Sequence, residues 1–115
     1  MFAYLIIRND GIELVPSESH EFTLEELYAG ADCDCIQIVR SGCDPDLLMC
    51  LDDNGKILQK YFNPLATLLY YPEYDFIVGD VIVGTSVSPY PDDEPDIYKM
   101  EYEQALALKH ALEEQ

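Results

Sequence analysis

The sequence predicts an α+β fold: a mainly antiparallel sheet of about five strands, a short helix near 23–30 and a C-terminal helix near 97–114. Three observations carry this expectation. Short apolar runs recur between turn-forming residues, at 2–7, 47–51 and 76–83. A full helix-start signature stands at Thr23 to Leu27. A helical spacing of apolar residues follows the proline-rich stretch 86–96.

Taken in order, residues 2–7 are almost wholly apolar, as befits a strand buried on both faces. Asn9-Asp10-Gly11 turns the chain, and 12–15 alternates weakly before Pro16, so a hairpin is expected. Thr23 and Glu26 form a capping box, Phe22 and Leu27 occupy the hydrophobic-staple positions, and Gly30 suits the C-terminal cap. From Asp32 to Arg40 the residues alternate, with Ile36 and Ile38 expected inward and Cys33 and Cys35 on the more polar side.

The central stretch organises the rest. A strand over 47–51 leads through the turn Asp52-Asp53-Asn54-Gly55 to a second strand over 56–60. Asn63-Pro64 then breaks the chain before an apolar segment, a helix or loop crossing the sheet, and a valine-rich strand over 76–83 closes the set. Gly79 within that strand marks a bulge or a close backbone approach. Three prolines and four acids make 86–96 a loop, and Ile97, Met100, Ala105, Leu108 and Leu112 then lie near one helical stripe.

A chain of 115 residues with 49% hydrophobic content is expected to form a single domain over 1–115 with a real core. Its charge is the outlier: 23 Asp and Glu against six Lys and Arg give a net charge of −17, spread over both halves. Scattered Arg8, Arg40, Lys56, Lys60, Lys99 and Lys109 offer no basic patch, so direct binding to nucleic-acid phosphates or to an anionic membrane is not expected. The N-terminal run lacks the charged start and cleavage site of a signal peptide. The expected compartment is a cytoplasm, with reduced thiols.

Cys33, Cys35, Cys43 and Cys50 supply enough thiols for a tetrahedral zinc site, but the usual Cys-x-x-Cys spacing is absent, and buried structural cysteine is the plainer reading. Asp52-Asp53-Asn54-Gly55 resembles a calcium loop only superficially, since the first-ligand and twelfth-ligand positions would fall on Cys50 and Tyr61. Neither His20, in a polar loop, nor His110, on the C-terminal helix, belongs to a recognisable catalytic motif, so no enzyme activity and no cofactor are expected. Nine tyrosines and no tryptophan are more suggestive, because tyrosine beside acid is common on protein-binding surfaces.

With Leu24-x-x-Leu27, Leu51-Asp52-Asp53-Asn54-Gly55-Lys56-Ile57, Asn63-x-x-Ala66-Thr67 and Ile77-Val78-Gly79-Asp80-Val81-Ile82-Val83 in order, residues 22–85 resemble the domain-of-unknown-function family 3846. Two features depart from that pattern. Gly30-Ala31-Asp32 stands where the family often has Gly-Gly, and Tyr61-Phe62 where it often has Leu-Pro. The resemblance implies a gene of phages, plasmids or bacterial mobile elements, with no established activity and no catalytic residues.

The resulting expectation is a non-enzymatic acidic accessory protein that binds a protein partner in a bacterial cytoplasm, in one version as a DNA mimic whose carboxylates replace phosphates. Asp92, Asp93, Glu94, Asp96, Tyr70, Tyr71 and Tyr74 are its candidate contact residues. A nucleotide-like ligand held by Asn63, Lys56 and Lys60 is the alternative, and a zinc-stapled domain a further one.

Overall fold

The structure, a computed structural model, describes residues 1–70, 75–90, 92, 93 and 96–114. Strand β1 (Phe2–Arg8) turns at Asn9 and Asp10 and returns as β2 (Gly11–Ser17), with Phe2 opposite Ser17 and Arg8 opposite Gly11. Helix α1 (Leu24–Ala31) then carries the chain to β3 (Ile36–Arg40) and β4 (Leu47–Asp52). Helix α2 (Pro64–Tyr70) crosses to β5 (Val81–Thr85), and β6 (Met100–Glu101) runs into α3 (Tyr102–Glu113). The six strands form one antiparallel sheet in the order β2-β1-β5-β4-β3, with β6 paired to the start of β1. This is the expected α+β class with a third helix, α2, where the sequence left a helix or loop open.

Both faces of the sheet centre are apolar, and both are covered. Leu5, Ile7, Met49, Val81 and Val83 point to one side, where Ala66 and Leu69 of α2 and Ala105 and Leu112 of α3 meet them. Tyr4, Ile6, Leu48, Cys50 and Ile82 point to the other, beneath Leu27 of α1 and Ile97. Burial of each large aliphatic side chain contributes about 1.5–3 kcal/mol, so the alternation of β1, β5 and β4 dictates a layer on each side.

Helix α1 starts as its sequence requires. The Thr23 hydroxyl oxygen accepts from Glu26 N–H at 3.1 Å, and Thr23 N–H donates to Glu26 Oε1 at 2.9 Å. Its end differs from expectation. Gly30 lies inside the helix, packed so closely on Ile82 that a Cβ there would stand 2.5 Å from Cδ1, and the left-handed cap falls on Asp32 at φ 51°.

The central stretch also departs from expectation. Residues 56–60 do not form a strand, and β4 pairs instead with β3 and β5. Asp52 Oδ1 accepts from Asn54 N–H at 2.8 Å, and Leu58 and Lys60 N–H then donate back to Asn54 and Gly55 carbonyls, winding 53–59 into successive turns. The valine-rich strand, β5, begins at Val81, not residue 76. Before it, Phe62 and Val78 form a bridge, and Gly79 at φ 79° turns the chain into the sheet.

At β3 the inward face is split. Ile36 reaches the cluster under α1, Ile38 is exposed, and Val39 packs the opposite cluster. Cys33 and Cys35 precede the strand.

Residues 97–101 are extended, so α3 starts at Tyr102, not near Ile97. Backbone pairing overrides the helical stripe here: Tyr98 and Thr85 exchange hydrogen bonds at 2.7 and 2.8 Å, Lys99 N–H donates to His20 O at 2.7 Å, and Met100 pairs with Ala3. The Lys99 side chain is nearly inaccessible. Its Nζ lies 2.9 Å from Glu26 Oε2 and 2.8 Å from Ser17 Oγ, near the faces of Tyr4 and Phe22.

Two outcomes follow for stability. A Cβ at Gly84 would stand 2.6 Å from the Tyr98 carbonyl oxygen, so Gly84→Ala must push β5 away from the 97–99 segment. Its cost is about 1–3 kcal/mol, read as a lower urea midpoint. Burial alone raises the Glu26 carboxyl pKa, but hydrogen bonds from the Thr23 backbone and Lys99 and the Lys99 charge outweigh it and hold it below the ordinary value. The carboxylate therefore contributes stability above the unfolded value of about 4.3, and that contribution is lost as pH falls through the lower folded value. Urea midpoints measured down the acid limb should fall less steeply in Glu26→Gln than in the natural chain.

Candidate functional site

Asn63 is almost fully buried, and its amide is spent on the fold. Nδ2 donates to Ile7 O at 3.0 Å and to Gly79 O at 2.7 Å, while Oδ1 accepts from Ala66 N–H at 3.1 Å as the N-cap of α2. No amide hydrogen remains for a ligand. A nucleotide-like ligand held by Asn63 would have to displace one of these bonds.

Lys60 is likewise internal. Its Nζ donates to the carbonyls of Ala31 and Asp32 at the C-terminus of α1, and it lies 2.8 Å from Asp52 Oδ2. That oxygen makes no hydrogen bond of good geometry, so the ammonium charge is what compensates the buried carboxylate. Lys56 pairs with Asp75 and sits 4.5 Å from the centre of the Phe76 ring. Each of the three candidate ligand residues is therefore engaged by partners within the chain.

Nor do the cysteines form a cluster. Cys50 is buried in β4, where burial and then the neighbouring Cys33 push its thiol up to about 12. Burial also raises Cys33. Cys35 reaches Asp53, and Cys43 Sγ donates to Leu68 O at 3.5 Å beside Ser41, whose hydroxyl donates to Leu69 O at 2.6 Å. Cys43 and Ser41 thus satisfy carbonyls at the end of α2. Among the described residues the four thiols do not meet as one metal-ligand set.

Asp92 and Asp96 are exposed, and Asp96 Oδ1 accepts from Ile97 N–H at 2.8 Å. Asp93 turns inward to His20 and Ser88. Tyr70 packs partly against the α2–α3 cluster. Glu94, Tyr71 and Tyr74 lie outside the described residues.

A different surface emerges, three of its four residues lying where the sequence predicts strands. Ile57 is 81% exposed, Leu58 64%, Phe62 54% and Phe76 48%. The turns over 53–59 project the first two outward, and the Phe62 and Phe76 rings meet edge to face at 6.2 Å. One cleft beside them joins Ile57 and Phe76 to Tyr70, Lys56, Asp53 and Asp75. A second, open cleft joins Leu58 to Tyr28 on α1, between Glu25, Asp32 and Asp34. The apolar side chains are thus bordered by carboxylates. The signal for them was present in Asn54-Gly55-Lys56-Ile57-Leu58, but a hairpin and a run of turns share that beginning.

The basic side chains do little to offset this acidity. Arg8 binds Glu13 and Asp80, Lys99 binds Glu26, Lys109 binds Glu113 and Arg40 donates to the Pro45 carbonyl, in addition to the Lys56 and Lys60 pairs. All six are engaged within the chain. Beside Arg8, the Tyr61 hydroxyl donates to Asp80; burial first, then that hydrogen bond and the Asp80 charge, raise its pKa and keep it protonated.

Asn63→Ala leaves two buried carbonyls without their donor and removes a helix cap. It should lower stability by roughly 2–5 kcal/mol in urea unfolding.

Among the described residues no helix is long and apolar enough to cross a membrane. No family model, curated protein or solved structure matches the chain.

Proposed function

We propose that the chain is a protein-binding module and that its contact surface is the apolar group Ile57, Leu58, Phe62 and Phe76 with its border of carboxylates. The exposure of these four side chains carries the reading. Single exposed aliphatics are ordinary on a protein, but neighbouring large ones around acid-lined clefts are typical of surfaces that are covered in use. With every Lys and Arg engaged internally, the complementary partner presents apolar residues with a basic border. A basic nucleic-acid-binding protein has such a surface, and the net charge of −17 extends the proposal to a nucleic-acid mimic.

The test is capture of partners on immobilised protein from a bacterial host extract, at two salt concentrations. The natural chain should retain a partner that weakens as salt rises, because exposed charges are screened. Leu58→Asp and Phe76→Asp should each weaken retention by roughly 2 kcal/mol, the scale of a central contact residue. Their urea midpoints should move little, since both side chains are exposed. Capture that ignores both substitutions would place the contact elsewhere; capture unchanged by salt would remove the mimic.

A further inference from the structure

The geometry points to a divalent metal site of the zinc type at His20, Glu21 and Asp93, independent of the apolar contact surface. Among the described residues this is the place where three ligand atoms of His, Cys, Asp or Glu come together, all within 4.8 Å of one another. One imidazole nitrogen and two carboxylate oxygens are a donor set suited to a first-row transition cation, and they leave coordination positions for water. The net charge of −17 favours a cation throughout this surface.

The neighbours hold these donors in place. His20 Nε2 lies 2.8 Å from Asp93 Oδ2. With metal–ligand bonds of 2.0–2.2 Å, adjacent tetrahedral ligands stand about 3.3 Å apart, so the pair need open by only about half an ångström to admit an ion. The imidazole is fixed between rings: Tyr98 stacks on it at 5.5 Å, and Tyr90 and Phe2 approach at 4.9 and 5.7 Å. The backbone beneath is held too, by the Glu21–Tyr98 bridge and by Lys99 N–H donating to His20 O. The Ser88 hydroxyl donates to Asp93 Oδ2, as outer-shell groups do when they orient a ligating carboxylate. Glu21 is exposed and supplies a third donor from the solvent side. A bound ion ties Asp93 to the segment before α1.

Cobalt(II) is the suitable probe, because Cys33, Cys35 and Cys43 are at least partly accessible and a thiolate ligand declares itself by a charge-transfer band. The natural chain should bind one equivalent of cobalt without that band. His20→Ala, Asp93→Asn and Glu21→Gln should each weaken binding tenfold or more, and Ser88→Ala by about tenfold, the usual cost of an outer-shell loss. A variant with all three accessible cysteines replaced by serine should bind as the natural chain does. Glu21→Gln alters an exposed side chain, so its result stands even where His20→Ala fails to fold. Absence of cobalt binding, binding with a thiolate band, or binding indifferent to Glu21→Gln and Asp93→Asn would each overturn the site.

Discussion

Strands β1, β5 and β4 are apolar on both faces, and this two-sided burial is the constraint on which the rest of the molecule depends. A sheet with one wet face needs a single covering layer; this one needs two. Helix α1 closes one face, α2 and α3 close the other, and the crossings that place them determine where each loop emerges. Gly30 and Gly84 belong to the same constraint, since α1 and the 97–99 segment approach the sheet too closely for a side chain at either position.

Polar groups inside this arrangement are used to join elements. Asn63 links β1, the turn at Gly79 and the start of α2. Lys99 draws together the end of β2, the capping box of α1 and the run into β6, while Lys60 joins the end of α1 to the end of β4. A cation so shielded is acceptable only with its charge partner in place. The consequence for function is that Lys60 and Lys99 serve the interior while the other four basic residues are engaged by partners of their own chain, which leaves the outside dominated by carboxylates and the exposed apolar group.

Where short-range chemistry decided the structure, the sequence was legible. The Asn9-Asp10 hairpin and the Thr23–Glu26 box rest on neighbours in the chain, and both are present. Where a distant partner decided it, the reading failed. Ile97 and Met100 fit a helical stripe, yet Thr85, His20 and Ala3 draw that segment into extended pairing, which sends the two side chains to opposite faces. Lys56-Ile57-Leu58 followed an Asn-Gly turn as a returning strand would, but β4 already has β3 and β5 on its two edges. The candidate surface was hidden by that same error, and the convergence of His20 with Asp93 had no local signature at all. Seventy-odd residues of intervening chain separate those two side chains.

One edge of β1 is divided between two later segments, residues 5–7 pairing with β5 and residues 2–3 with β6. Synthesis therefore produces the hairpin of β1 and β2 long before either partner exists. During that interval a strand apolar on both faces also carries an unpaired row of backbone groups, the combination most prone to pairing with another chain. Closure waits for contacts distant in sequence, which slows folding relative to a helical protein of equal size. The dense negative charge then has a use before any partner is met: nascent copies repel one another while their central strand is still open.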